Sequence, residues 1–348
     1  MEKAFTKWLA ATLPLLCAIN STAQDILAGL PTVCQTTDSL DTLPTPGQTT
    51  KEKWLSGSFY TEANYGHNFF GANRDIYDFP HAVLDLDIRL GRGWSFTTEQ
   101  EIEYLEDKGE WPTHFSQMYC CNWAYFEKEF SPGLRLRAGV LNVPVGLTSA
   151  YYGSGLTVYD PPSEDRVLPM KWHETGVALT GDLGKWEYYV AVMRHVAWLD
   201  TNPHDDENTG AAFRLNYRPN DALRLGMSGF SGKGAPLEDG FGSGHPWCNY
   251  AAFDFDYDRP RWLASGGVVY QSADRDLAVG AEIGFRATQW LIPFVRFDMV
   301  TCAHRTDYHE TIAGINVMPL KNMTLKAQYS QDGGNVRMDM SINYTVEF

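Results

Sequence analysis

The residues able to do chemistry in this 348-residue chain gather in a few places. Cys302, His304, Asp307, His309 and Glu310 fall within one short stretch and are donors suited to a divalent metal. Their spacing matches no standard zinc pattern, and a polar loop is the simpler account. His204-Asp205-Asp206-Glu207-Asn208 offers hard oxygen donors for a cation, yet it reads more simply as a solvated acidic loop. A hydrolase of the serine type needs a serine beside a histidine that a carboxylate orients. The 9 histidines fall mostly in polar connections, and no serine is singled out beside one. The expectation is therefore no enzyme, no catalytic residue, no metal and no cofactor. Nucleic acid is not an expected partner, because the chain sets 28 Lys and Arg against 43 Asp and Glu, a formal charge of -15, and has no basic tract.

Most other ionisable residues follow a second pattern: they alternate with apolar ones. Met338, Met340, Ile342, Tyr344, Val346 and Phe348 alternate with Asp339, Ser341, Asn343, Thr345 and Glu347. Ala82, Leu84, Leu86, Ile88 and Leu90 alternate with Val83, Asp85, Asp87 and Arg89, and Phe253, Phe255 and Tyr257 with Asp254, Asp256 and Asp258. A strand sends successive side chains to opposite faces, so each such segment has one oily and one hydrophilic face. A soluble sandwich would alternate too, and what separates the cases is length and connection. Most segments approach the roughly 9–11 residues of a tilted strand that crosses a bilayer.

The connections are lopsided. Tight turns at Gly91-Arg92-Gly93, Ser131-Pro132-Gly133, Asp182-Leu183-Gly184, Arg218-Pro219-Asn220-Asp221, Asp258-Arg259-Pro260, Ala287-Thr288 and Pro319-Leu320-Lys321 occupy every second junction. Between them lie longer segments at 66–80, 106–116, 147–172, 196–209 and 231–248, and modest ones around Ala273, Arg305 and Gly333. Short turns on one side and long loops on the other mark outer-membrane barrels. Sixteen strands are expected, at 54–65, 81–90, 94–105, 117–130, 134–143, 173–181, 185–195, 210–217, 222–230, 249–257, 261–271, 276–285, 290–300, 308–318, 322–330 and 336–348. The fold class is all-β, a transmembrane antiparallel up-and-down barrel whose first and last strands meet on the short-turn side. Tyr65, Trp94, Tyr104, Phe130, Trp186, Tyr217, Trp262, Trp290 and Tyr329 stand near strand ends, as interfacial girdles require. Lys128 and Arg194 fall on the oily face, close enough to its rims to snorkel.

The N-terminus reads as an export signal over 1–24. Lys3 and Lys7 precede the apolar run Trp8 to Ile19, and the small polar stretch Ser21-Thr22-Ala23-Gln24 follows. Leu16 before Cys17 argues against lipidation. Residues 25–53, rich in Thr, Pro, Ser and Asp, read as a periplasmic linker before a barrel of 54–348. A mean hydropathy of -0.32 fits a barrel, since every second strand residue faces away from lipid. Cys34, Cys120, Cys121, Cys248 and Cys302 remain after cleavage; no pairing can be assigned, and their odd number leaves at least one unpaired within the chain.

Leu134 to Leu147, LRLRAGVLNVPVGL, followed by a long segment and HETGVALTGDLGKWEYYVAV, resembles the porin O/P family, with Pro144-Val145-Gly146, Gly176-Val177 and Gly184-Lys185 in the corresponding places. The Ala23-Gln24 end of the leader looks like those of Bacteroidetes, and Phe348 looks like the C-terminal signal read by the barrel-assembly machinery. The resemblance implies a passive channel for small hydrophilic solutes, seated in outer-membrane lipid and lipopolysaccharide, and leaves a homotrimer open. It further implies that segment 147–172 folds inward, with Asp160, Glu164, Asp165 and Arg166 in a constriction opposite Arg135, Arg137 and Arg214. Phosphate-selective members line the pore with bases. Here the expected lining is mainly acidic: Asp85, Asp87, Glu99, Glu101, Glu103, Asp254, Asp256, Glu282 and Asp298 against Arg89, Arg135, Arg137, Arg214 and Arg296, which favours cations. An adhesin or scaffold without an open pore is the alternative, and a barrel lipid hydrolase the least favoured.

Overall fold

In a computed structural model the chain is described over residues 53–70, 75–105, 112–113, 118–151, 155–159, 162–169, 172–194, 209–232, 247–303 and 306–348. The expected leader and all but Lys53 of the linker lie outside these residues. So do His204 to Asn208, His304 and Asp160.

Alternation yields strands, and the strands number sixteen: β1 (Leu55–Phe70), β2 (Ile76–Gly91), β3 (Trp94–Leu105), β4 (Tyr119–Ser131), β5 (Leu134–Asn142), β6 (His173–Leu183), β7 (Trp186–Arg194), β8 (Thr209–Asn220), β9 (Leu223–Gly232), β10 (Cys248–Asp258), β11 (Trp262–Gln271), β12 (Asp276–Phe285), β13 (Leu291–Thr301), β14 (Tyr308–Leu320), β15 (Met323–Asp332) and β16 (Asn335–Glu347). Each pairs antiparallel with its sequence neighbours, and β1 pairs with β16 to close the barrel. At that seam Ser58 faces Glu347 and Ala63 faces Ile342. The Gly57 amide donates to the Phe348 carbonyl at 3.2 Å, and the Phe348 amide to the Gly57 carbonyl at 3.0 Å. Among the described residues, no helix is long and apolar enough to cross a membrane.

The outer surface carries the large apolar residues. Phe59, Phe126, Val177, Val190, Phe213, Phe253, Val295 and Ile315 are all exposed there, each at an alternate strand position. Aromatic rings stack in pairs at the short-turn end: Trp186 on Tyr217 at 4.5 Å, and Trp262 on Phe285 at 4.9 Å. Lys128 reaches the Arg92 carbonyl there and lies 5.6 Å from the Trp94 ring and 5.8 Å from that of Phe130. The long apolar stem thus stays on the outer face while the ammonium finds polar and π-electron partners at the rim. Cys120, Cys121, Cys248 and Cys302 are all free thiols.

Two departures from the expected pattern matter. The first hairpin is longer than expected. β1 and β2 run on through much of 66–80, because Phe69, Tyr77 and Phe79 continue the outward apolar face. A bulge hides that continuity. Glu62 pairs with His81 and Asn64 with Asp78, so three steps on β2 match two on β1. The extra residue resets the phase of the pleat and turns both Asp78 and His81 inward.

The second departure is inside the barrel. Val143, Val145, Val167, Leu168, Trp172, Met193, Phe230, Tyr250, Val269 and Val300 form one buried apolar cluster. The inward face is therefore not uniformly hydrophilic. On β10 it begins with Cys248, Tyr250 and Ala252 and becomes acidic only from Asp254 onward.

Placing a charge on the outer face should be costly. Val295→Arg, near the middle of β13, is expected to destabilise the barrel by about 2–4 kcal/mol in lipid vesicles. Urea titration of the folded fraction measures this; an unchanged midpoint would mean that this face does not meet lipid.

Candidate functional site

The described residues of the segment between β5 and β6 lie inside the barrel. The segment contains two single-turn helices, α1 (Thr148–Tyr151) and α2 (Pro162–Asp165). At its root the Val143 amide donates to the Trp172 carbonyl at 2.9 Å, joining the two limbs. Val143, Val145, Val167, Leu168 and Trp172 then seat the segment in the apolar cluster, with the Trp172 ring 4.8 Å from Phe230 and 5.0 Å from Tyr250.

Polar anchors continue round the wall. Arg214 of β8 donates to the Gly146 carbonyl at 2.9 Å, and Ser228 of β9 accepts from the Gly146 amide at 3.2 Å. Arg214 is held by Asp254 at 2.6 Å, and Arg224 reaches the same carboxylate at 2.5 Å. Under α2, Ser163 donates to Asp298 at 2.5 Å, and Asp298 also takes the Arg296 guanidinium at 2.6 Å. Glu282 lies 3.5 Å from Arg296 and accepts from Ser265 at 2.9 Å. Farther round, Asn316 donates to the Leu156 carbonyl at 3.1 Å and Lys326 to that of Thr157 at 2.7 Å. Gln328 accepts from the Val158 amide at 2.8 Å, and Arg337 stands 5.3 Å from the Tyr159 ring. The segment is thus tied to β8, β9, β13, β14, β15 and β16.

Opposite it, between the root of the segment and strands β2 to β8, a cavity of about 290 Å³ remains. Asp85, Trp123, Tyr125, Arg137, Glu187, Tyr189, Arg214 and Asn216 line it. Arg137 bonds Glu127 at 2.6 Å and lies 5.0 Å from the Tyr125 ring, while Asn216 donates to Glu187 at 2.9 Å.

The expected site residues divide by position. Asp85, Arg137 and Arg214 come together at the cavity. Asp87 accepts from Thr97 at 3.2 Å, and Glu99 and Glu101 accept from Asn122 at 2.8 and 2.7 Å. Asp254, Glu282, Arg296 and Asp298 are buried in the anchoring network, and Asp256 follows Asp254 on β10. Arg135 pairs with Asp182 at 2.8 Å, toward the short-turn end. Arg89 lies on β2, opposite Ser95. Glu103 faces His81 at 3.9 Å. Phe348 sits at the seam with its ring exposed.

Within the inward segment, Glu164 is buried rather than facing open space. Its carboxylate accepts from the Thr148 amide at 2.7 Å and the Leu147 amide at 3.0 Å, clasping the two limbs together. Asp165 is half-buried, and Arg166, exposed, stacks 3.6 Å from the Tyr308 ring. Sequence reasoning missed Glu62, Asp78, His81, Asn122 and the apolar seat. Only the bulge brings Asp78 and His81 to one face, and no local spacing announces it.

Burial pushes the Glu164 carboxyl above its ordinary range, against the opposing pull of the Leu147 and Thr148 amides. A raised value means that the folded chain holds this proton more tightly than the unfolded one. The resulting stability is full below the ordinary carboxylate range and is lost as pH rises through the raised value.

No protein-family model matches the chain. An uncharacterised protein of Aquifex aeolicus is 26% identical over 232 residues, spanning 58% of this chain and 51% of that one, so the chain spans about half the length of this curated relative. Solved structures match across most of the barrel. OmpF of Salmonella typhi, in complex with daunomycin, has a TM-score of 0.63 at 11% identity, covering 84% of this chain and 97% of that one. The outer membrane channel DcaP of Acinetobacter baumannii has a TM-score of 0.55 at 11% identity, covering 84% and 96%. OmpT of Vibrio cholerae, in a trimer form, has a TM-score of 0.57 at 8% identity, covering 84% and 99%. The fold is that of the sixteen-stranded porins.

Glu164→Ala leaves two amides without their acceptor, a loss of about 1–3 kcal/mol. Exchange at Leu147 and Thr148 should speed up at least about tenfold in hydrogen-exchange measurements. Glu164→Gln, which does not titrate, should remove this group's share of the pH dependence of stability.

Proposed function

We propose that the chain is an outer-membrane channel for passive diffusion of small hydrophilic solutes or ions, with segment 147–172 as its constriction. The observation that carries this reading is a segment bonded to the inside of a closed barrel along one wall, with a cavity lined by Asp85, Arg137, Glu187 and Arg214 beside its root. A strand count of sixteen encloses room for water. An adhesin needs no such interior structure. A covering flap would bond to the rim, whereas Gly146, Ser163 and Thr157 are held by strand residues well inside the hairpins.

In this reading solutes pass between the root of the segment and strands β2 to β8. The charges at the gap are then Asp85, Glu187, Arg137 and Arg214. This amends the expected eyelet, in which the segment's own acids faced the wall. Acids and bases balance at the gap itself, and the excess of acids on β1 to β3 beside it favours cations. The reading includes no catalysis, and the trimer form of OmpT makes a homotrimer a natural arrangement to test.

Planar-bilayer recording tests the proposal. The purified chain should give discrete conductance steps with reversal potentials favouring K⁺ over Cl⁻. Asp85→Asn should lower that preference and Arg137→Gln raise it. Deleting 159–166 should increase conductance. Insertion without conductance would leave the adhesin or scaffold as the surviving reading.

A further inference from the structure

The sharpest unassigned chemistry lies on the inward face of β1 to β3. His81 stands among four carboxylates. Its Nδ1 is 2.9 Å from Glu62 Oε1, 3.2 Å from Asp78 Oδ2 and 3.9 Å from Glu103 Oε1, and its Nε2 is 2.8 Å from Glu101 Oε1. A neutral imidazole has one N–H, yet both nitrogens face acceptors. Some positive charge must therefore lie between Nδ1 and the Glu62 and Asp78 carboxylates, either a second ring proton or a bound cation.

A further observation points the same way. Asp78 is only 2% exposed, and its Oδ1 has no hydrogen-bond partner. A buried carboxylate oxygen left unpaired beside three other acids is a costly arrangement. The charge of a cation bound at this carboxylate would offset that cost.

The surroundings hold these groups in place. Asn64, itself buried, donates to both Glu62 Oε1 at 2.9 Å and Asp78 Oδ2 at 2.8 Å. Asn343 donates to the other Glu62 oxygen at 2.8 Å, and the Tyr60 hydroxyl donates to it as well. On the far side Asn122 donates to Glu101 Oε2 at 2.7 Å, which fixes the carboxylate that takes the Nε2 proton. A carboxylate behind a histidine that presents its other nitrogen forward is the usual outer support of a metal-bound imidazole.

We propose that Glu62, Asp78 and His81 Nδ1 bind one divalent first-row metal ion of the zinc class on the lumen wall, with Glu101 as the positioning residue behind His81. Metal–ligand bonds of about 2.0–2.1 Å put neighbouring ligands roughly 2.9–3.4 Å apart. The 2.9 and 3.2 Å separations at Nδ1 fit that range. One nitrogen with carboxylate oxygens suits zinc better than the all-oxygen shells of calcium or magnesium. The ion would join β1 to β2 across the bulge, and a further coordination position is left for water. The inference does not depend on whether solutes cross the barrel.

The test uses the purified full chain in detergent, stripped with a chelator and titrated with Zn²⁺ by calorimetry. One saturable ion per chain is expected, with nitrogen and oxygen ligands and no sulfur in its X-ray absorption spectrum. His81→Ala and Asp78→Asn should weaken binding at least 100-fold, and Glu101→Gln about 10–100-fold. His309→Ala should leave binding unchanged. Heat-modifiable mobility on gels confirms that each variant is a closed barrel, and a closed His81→Ala barrel that binds zinc as tightly as wild type overturns the proposal. So do sulfur ligands, or no saturable binding to the wild type, which would leave a hydrogen-bonded imidazolium alone at the cluster.

Discussion

A β-sheet in contact with lipid has no water to satisfy its edge, so every strand needs two neighbours. The structure meets that demand at the β1–β16 seam, where Gly57 and Phe348 exchange backbone hydrogen bonds. An even strand count follows if both chain ends are to meet on the short-turn side. The count in turn fixes the width of the interior, and that width decides what an inward segment can touch. A segment tied to β8 and β16 at once, through Arg214 and Arg337, is possible only inside a closed wall.

The interior is filled on one side by two different means. Toward the long-connection end the seat is apolar, with Trp172 between Phe230 and Tyr250. Deeper in, it is ionic, with Asp254 between Arg214 and Arg224 and Asp298 between Arg296 and Ser163. Buried ion pairs add little net stability, because desolvation offsets their attraction, but breaking one by removing a partner costs about 3–5 kcal/mol. Their role here is better understood as registration. Apolar contact holds the segment against the wall, and the directional Arg and Ser bonds set where along the wall it stops.

The sequence was most legible where period and turn chemistry agreed. Alternation in β16 and tight turns such as Gly91-Arg92-Gly93, where all three residues adopt positive φ, gave both the strand and its end. It was least legible where a single residue broke the phase. The bulge after Asp78 made a continuing strand look like a loop, and it hid His81 from any search by spacing. The apolar seat escaped for a different reason. An alternating pattern identifies two faces but does not say what each meets, and Ala252 or Val300 facing inward is indistinguishable, one residue at a time, from the same side chain facing lipid. Glu164 was found by type and given the wrong surroundings, since an acid in a loop reads as solvent-facing until its two amide donors are seen.

The charge of the lumen is divided by strand, and this determines where a field can arise. Around β8 to β16 four buried acids are matched: Asp254 by two arginines, Glu282 and Asp298 by Arg296, and Asp339 by Arg337. On β1 to β3 the seven acids Glu62, Asp78, Asp85, Asp87, Glu99, Glu101 and Glu103 outnumber the basic residues His67, His81 and Arg89 of the same strands. Neutral amides such as Asn64 and Asn122 share that load, but they carry no compensating charge. The polarity of the interior therefore runs from an acidic sector at β1–β3 toward arginines at β5 and β8, wall to wall, rather than from the inward segment to the wall. A solute in the cavity beside Asp85 and Arg137 would sit across that gradient, and a cation held at His81 would flatten it.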